Sequence, residues 1–277
     1  MPPLPAQTAH LNLPGRAAGN SGLRDLLAQF EPIDLMQMDA VALLNRTDTK
    51  YVLKASQLIT ALAALTHEYR VLEIDGVRQH PYETLYFDTP DFTMYMLHHA
   101  GRKMRYKVRS RQYVGSQRSF LEVKVKSNVG RTSKKRIETD ALMTHMSPEL
   151  SSFVESLAPV ISNSLAPTLW NTFGRVTLVS KHMPERLTLD LDLRLSNDQD
   201  SVALPGVAIA EVKQENINRN SEFIRLMRAM SVQPGSFSKY CIGVAMLYQE
   251  VKHNNFKPRL RLVEKLIREE NHVYGAH

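Results

Sequence analysis

A single cysteine, Cys241, in a chain of 277 residues excludes an internal disulfide framework and any zinc centre built on several thiolates. It lies in the apolar stretch Tyr240 to Leu247 and reads as a small buried hydrophobe. Familiar catalytic signatures are missing too. No G-x-x-x-x-G-K-S/T loop, G-x-G-x-x-G turn, H-E-x-x-H helix or G-x-S-x-G elbow occurs. Nucleophilic and zinc chemistry are therefore not expected. The adjacent His98 and His99 have the wrong spacing for one helix face and read as surface residues. The longest apolar stretch, Ile59 to Leu65, is interrupted by Thr60 and is far too short to span a bilayer. No basic segment followed by an apolar one opens the chain, so no signal peptide is expected and the location is read as cytoplasmic. Residues 1–20, rich in proline, alanine and glycine, read as a disordered tail. A folded domain is expected over 21–252 and a helical extension over 253–277.

Positive charge is what the chain has in excess. Its net charge is +7 and its pI about 9.4, which favours a polyanionic partner. The excess is concentrated between Arg102 and Lys126. Side chains on a strand alternate between faces, so Lys103, Arg105, Lys107, Arg109 and Arg111 share one face, opposite Met104, Tyr106 and Val108. After a turn near Gly115, Glu122, Lys124 and Lys126 oppose Leu121, Val123 and Val125. Such a comb of cations repels itself unless an anion lies across it. Phosphate chains are the first candidates.

The same division recurs along the chain. Arg46 to Leu53, Arg131 to Thr139, Arg186 to Leu195 and Val207 to Glu215 all read as strands with one charged and one apolar face. Further strands are expected over Val71 to Ile74, Tyr82 to Asp88 and Arg175 to Lys181. Helices are expected over Leu23 to Phe30, Asp39 to Leu44, Ser56 to Leu65 with Ser56 as cap, Thr89 to Leu97, Ser221 to Met230, Tyr240 to Val251 and Leu260 to Glu270. Ala141 to Trp170 reads as mostly helical, punctuated by Pro148, Pro159 and Pro167. Charged faces on so many strands favour an α+β fold in which a closed antiparallel β-barrel surrounds a solvated lumen, with helices packed outside.

Arginine offers a planar fork to phosphate oxygens and lysine a mobile point charge. Arg105, Arg109 and Arg111, with Lys107 and Lys124, could clamp a triphosphate or a longer chain. Lys134, Lys135 and Arg136 extend the patch, although alternation places Lys135 opposite its neighbours. Glu122, Asp190, Asp192 and Glu211 could be salt-bridge partners or could hold a divalent cation shared with phosphate. Nucleic acid is not expected, because Tyr106 lies on the apolar face and Tyr113 stands at the end of the comb.

Taken in order, these elements resemble the vacuolar transporter chaperone (VTC) domain of polyphosphate polymerases, in the triphosphate tunnel (CYTH-like) superfamily. The matching segments are Arg46-Thr47-Asp48-Thr49-Lys50-Tyr51, Tyr86-Phe87-Asp88-Thr89, Lys107 to Tyr113, Phe120 to Lys124, Lys134-Lys135-Arg136, Arg186 to Asp190, Glu211-Val212-Lys213 and Phe237 to Tyr240. The resemblance implies a metal-dependent phosphotransferase that moves the γ-phosphate of ATP onto a growing polyphosphate chain. Lys50, Arg109, Arg111 and Lys124 would then be the catalytic cations. Arg105, Lys107, Lys126, Lys134, Arg136, Arg186, Lys213 and Lys239 would bind phosphate, and Glu211 and Glu122 would hold Mn²⁺ or Mg²⁺. The implied partners are ATP or another triphosphate and inorganic polyphosphate. A hydrolase of triphosphate or polyphosphate, and a non-catalytic polyphosphate-binding module, are the alternatives. Two departures stand out. The opening strand lacks the superfamily's Glu-x-Glu-x-Lys, and Lys181 stands where an arginine is expected.

Overall fold

Alternation in the sequence becomes a sheet in the computed structural model, which describes residues 19–40, 46–128, 132–158 and 165–274. Its main path joins eight strands. They are β2 (Thr47–Lys54), β4 (His80–Asp88), β5 (Arg105–Tyr113), β6 (Arg118–Lys126), β7 (Thr132–Thr139), β8 (Ala166–Ser180), β9 (Glu185–Ser196) and β11 (Val207–Gln214). Across the sheet they run β2-β11-β9-β8-β4-β5-β6-β7, each antiparallel to its neighbours. Short strands β1 (Glu31–Ile33), β3 (Tyr69–Leu72) and β10 (Ser201–Ala203) attach to its flanks, and β1 with β3 is a parallel pair.

The fold is α+β with a large antiparallel sheet, but the barrel is not closed. Its path ends at β2 and β7 without pairing them. The free edge of β2 is occupied by another segment: Tyr51 bridges Pro234, and the Gly235 amide donates to the Lys50 carbonyl at 2.8 Å. The sheet is therefore a trough with β7 as a free lip. That lip carries Lys134, Lys135 and Arg136, charges of the kind that keep an open edge from pairing with another chain.

Among the described residues eight helices accompany the sheet: α1 (Gly19–Ala28), α2 (Leu35–Ala40), α3 (Ala55–Leu65), α4 (Thr93–His99), α5 (Pro148–Leu157), α6 (Glu222–Ala229), α7 (Lys239–Leu247) and α8 (Lys257–Tyr274). On the outer face Leu53, Leu187, Leu189, Ala210 and Val212 pack under Leu23 and Leu27 of α1, Leu58, Leu62 and Leu65 of α3, and Phe223 and Met227 of α6. Burying each large apolar side chain contributes about 1.5–3 kcal/mol, so this layer supplies much of the force that flattens the helices onto the sheet. Around β4, β5 and β6 the outer layer is Leu85, Phe87, Val108, Leu121 and Val123 under Met94, Leu150 and Val154.

Helix α7 packs on the other face. Tyr240, Ile242 and Val244 meet Val52, Ile209, Tyr86 and Leu169. Val52 and Ile209 share a face with Lys50 and Glu211, so α7 fills part of the trough's inside. Gly243 permits the close approach, since a Cβ there would stand 2.5 Å from Leu169 Cδ2.

Several sequence expectations are corrected. Among the described residues of the segment Ala141 to Trp170 only Pro148–Leu157 is helical, and β8 already begins at Ala166. Pro167 is tolerated there because the β4–β8 register shifts between Tyr86 and Phe87. Ser56 does not cap α3. It sits in the first turn, where its amide and hydroxyl both donate to Glu270 of α8, at 3.0 and 2.8 Å. His98 and His99 are not surface residues. His99 is buried, and His98 Nε2 bonds the Tyr106 carbonyl at 3.1 Å. Residues 1–18 of the expected tail and most of the helix over Asp39 to Leu44 lie outside the described residues, and the last two residues of that tail, Gly19 and Asn20, open α1. No helix among the described residues is long and apolar enough to cross a membrane.

Candidate active site

Strand register decides which cations meet. Lys107, Lys124 and Lys134 form one cross-strand row, and Arg109, Glu122 and Arg136 form the next. Arg111 and Phe120 follow, and Arg105 pairs with Lys126 at the other end. On the opposite wall Lys50 pairs with Glu211, Glu211 with Thr188, and Arg175 with Asp190. The walls face one another closely enough for the charge of Lys50 to act on both Lys107 and Lys124.

Three carboxylates organise this charge, and each lies between two cations. Glu122 accepts from Arg109 Nε and Nη2, at 2.7 and 2.6 Å, and pairs with Lys134. Asp190 accepts a two-pronged contact from Arg175, at 2.6 and 2.8 Å, and pairs with Lys239. Glu211 pairs with Lys213 and lies 3.7 Å from Lys50. Each triad retains one net positive charge, so the carboxylates fix the cations in place without neutralising them.

Other cations have no carboxylate partner among the described residues. Lys107 donates to Ser238 Oγ at 2.7 Å and Arg111 to Thr84 Oγ1 at 3.1 Å. Ser238 is also the N-cap of α7, so the positive end of that helix points into the same cluster. Lys124 makes no ion pair or hydrogen bond among the described residues. Its side chain is exposed, and the charges of Lys50 and Lys107 act on it. Arg105 and Lys126 line, with Arg102 and Lys103, an open cavity of about 380 Å³ at one mouth.

Crowding shows in the titration behaviour. Burial pushes Lys134, Lys213 and Lys239 down to about 8, although Glu122, Glu211 and Asp190 each pull a partner back up. Burial, with repulsion from neighbouring cations, also lowers Lys107 and Lys124. Burial would raise Tyr86, but Arg109, Arg111, Lys107 and Lys239 outweigh it and bring the phenol down to about 8. Arg109, Arg111 and Lys134 together overcome burial at Glu122 and hold it at about 2. Asp190 and Glu211 are likewise held far below the ordinary carboxylate range, against the effect of burial. A site this positive is built to receive negative charge.

The cations expected on one face, Lys50, Arg105, Lys107, Arg109, Arg111, Lys124, Lys126, Lys134, Arg136, Arg186, Lys213 and Lys239, do lie on the inner side of the trough by strand register or by contact with it. Lys181, an uncertain match, instead pairs with Glu31 at 2.8 Å on the β1 side. The residue that sequence reasoning overlooked is Arg175. Alternation through Phe173, Arg175 and Thr177 carries the signal, but the strand expected over Arg175 to Lys181 begins at this residue and leaves Phe173 out of the row. The second omission is Ser238, whose role appears only when α7 is seen on the inner face.

The two candidate metal ligands differ. Glu122 is closed off, with both oxygens engaged by Arg109 and Lys134. Glu211 has one oxygen paired with Lys213 and the other 3.7 Å from Lys50, and a fifth of its side chain is exposed. Among the described residues no group of three or more His, Cys, Asp or Glu is placed to hold a metal ion unaided. A cation shared with phosphate oxygens needs only one or two protein carboxylates, and Glu211 fits that requirement.

Comparison with known proteins places this geometry. The model of the VTC domain matches residues 45–248. No curated protein matches the chain. Solved structures of similar fold include a candidate adenylate cyclase from Bacillus halodurans, 13% identical, covering 74% of this chain and 97% of its own, with a TM-score of 0.49. A candidate adenylyl cyclase from Hippeastrum, described by a dominant triphosphatase activity, is 13% identical over 73% of this chain and 97% of its own, with a TM-score of 0.45. A third, from Vibrio parahaemolyticus, is 13% identical over 71% and 95%, with a TM-score of 0.40. With three quarters of its length matched in order, including both walls of the cationic trough, the chain belongs to the VTC domain family.

Proposed function

We propose that the trough is the active site of a polyphosphate polymerase, which transfers the γ-phosphoryl group of ATP to the terminal phosphate of a polyphosphate chain. The observation that carries this reading is the row Lys107, Lys124 and Lys134, three lysines side by side, all lowered by burial and neighbouring cations, of which only Lys134 has a carboxylate partner among the described residues. Such a row is costly in the empty protein and is relieved by a polyanion.

In this reading Arg109 and Arg111 grip the donor's phosphates, with Glu122 fixing the Arg109 fork. Lys50 and Lys124 approach from facing walls and balance the charge on the transferring group. The bond between the γ-phosphorus and the β,γ-bridging oxygen breaks, a terminal phosphate oxygen of the chain forms the new bond, and ADP leaves. The acceptor oxygen is already ionised at neutral pH, so no general base is needed. Phosphoryl transfer depends mainly on positioning and charge neutralisation, which fits a site rich in cations and poor in nucleophiles. Glu211 would hold a Mn²⁺ or Mg²⁺ shared with the phosphates. When bound, that ion would neutralise charge on the donor's oxygens.

The test is ³¹P NMR of the purified protein with ATP and Mn²⁺, beside Lys124→Ala. Chain-internal phosphate signals with ADP, both lost in the variant, are expected. Orthophosphate without chain signals would assign the site to a hydrolase. Bound polyphosphate without turnover would leave a binding module.

A further inference from the structure

The inner face of the trough changes character along its length. Inward residues of β5 run Arg105, Lys107, Arg109, Arg111, Tyr113. At one end lie the lysine row and the Arg105–Lys126 mouth. At the other end Tyr113 pairs with Tyr82, and Tyr82 with Phe173, while Phe120 sits one row further in. Tyr82 and Phe173 are stacked, with ring centroids 5.2 Å apart. Tyr113 meets Tyr82 and Phe120 edge-on, at 4.9 and 5.7 Å.

Most of these rings already carry a cation. Arg111 and Arg175 lie over Tyr82 at 5.4 and 5.0 Å, and Lys239 lies over Phe173 at 4.2 Å. Arg136 and Arg118 lie over Phe120 at 4.4 and 5.2 Å. Tyr113 differs. Among the described residues no cation covers its ring, its hydroxyl makes no hydrogen bond, and it is only half-buried.

We propose that Tyr113 is the platform on which the base of a nucleoside triphosphate stacks, so that the donor lies with its base at the aromatic end and its terminal phosphate toward the lysine row. The inference rests on the polymerase reading and adds the orientation and recognition of the nucleotide. Arg111 and Arg109 precede Tyr113 by two and four residues on the same face, roughly 7 and 13 Å along the strand. A triphosphate held by those arginines leaves its nucleoside near Tyr113. A half-buried ring that no cation among the described residues covers suits a base, and stacking of this kind tolerates different bases. The opposite mouth offers Arg102, Lys103, Arg105 and Lys126 and no aromatic ring, which suits a phosphate chain that has no base.

Calorimetric titration of the full chain with a β,γ-imido analogue of ATP and with inorganic tripolyphosphate tests the assignment. Tyr113→Ala and Tyr113→Leu are expected to weaken the analogue roughly tenfold and to change tripolyphosphate by less than twofold, whereas Tyr113→Phe keeps both affinities. The leucine variant keeps bulk beside Tyr82 and Phe120, and its tripolyphosphate affinity serves as the check on folding. Equal weakening of both ligands in the leucine variant would overturn the base site, because the ring would then only support the arginines. So would no change in either ligand. Wild-type protein that binds neither ligand would overturn the phosphate-binding reading and the base site with it.

Discussion

The ammonium of Lys107 donates to the hydroxyl of Ser238, which also accepts the Cys241 amide at 3.2 Å as the cap of α7. One hydroxyl thus joins the centre of the basic hairpin to the helix that lies inside the trough. Ser238→Ala is expected to cost about 1 kcal/mol in urea unfolding, the usual value of such a cap. Tripolyphosphate should narrow the gap, because it gives Lys107 a new partner. An identical gap with and without the ligand would mean that phosphate does not reach Lys107.

Asp190 and Lys124 should respond in opposite ways. Asp190→Asn leaves Arg175 and Lys239 buried without their carboxylate and is expected to destabilise the empty protein by about 3–5 kcal/mol. Lys124→Ala removes a cation that has no ion-pair partner among the described residues. It should leave unfolding unchanged or slightly harder while weakening tripolyphosphate at least tenfold. Thermal unfolding combined with titration separates the two. A Lys124→Ala variant that loses stability but keeps its affinity would contradict the assignment of that lysine to phosphate.

The pH dependence has two limbs. Glu122 is held at about 2, and Asp190 and Glu211 are also lowered, against about 4 in an unfolded chain. Their contribution to stability is present above pH about 4 and is lost as the pH falls toward 2. At the alkaline end Lys134, Lys213 and Lys239 lose protons near 8 in the folded protein but near 10 when unfolded. The unfolded state binds more protons in that window, so the empty protein should gain stability from pH 8 to 10. Phosphate affinity should fall over the same range as the lysines discharge. Melting curves with and without tripolyphosphate, taken at intervals from pH 3 to 10, would show the two trends crossing.

Helix α8 lies beyond the family match, yet it is built into the domain. Glu270 receives the amide and hydroxyl of Ser56 in the first turn of α3, and Lys54 lies 3.4 Å from Glu269. Arg259 packs on Gly235, where a Cβ would stand 2.3 Å from its Nη2. Glu270→Ala is expected to cost about 2 kcal/mol, from two hydrogen bonds to a charged acceptor. Deleting residues 253–277 should cost more. Unfolding midpoints unchanged by either alteration would show that the helix is only an appendage.

The cationic comb was legible in the sequence because strand alternation has a period of two and the hairpin obeys it from Arg105 to Lys126. The inward position of Arg175 is not legible, because the apolar and proline-containing stretch before it is compatible with a helix and the expected strand begins only at Arg175. Only pairing with β4 decides that Ala166 to Ser180 is one long strand. The position of α7 was also hidden. Tyr240, Cys241, Ile242, Gly243, Val244 and Ala245 are all buried, so no polar stripe marks which side the helix presents to the sheet. The ion-pair triads depend on register, which sets Glu122 opposite Arg109 and one row from its other partner, Lys134, and cannot be read from one strand alone.

The free lip at β7 changes what kind of container this is. A closed hoop admits a polymer only by threading one of its ends. A gutter with an unpaired rim lets a strand of any length be laid in sideways, held midway along its contour and lifted out again without finding a terminus. The exposed charges of Lys134 and Arg136 stand on that rim, where a polyanion approaching from the side would meet them first.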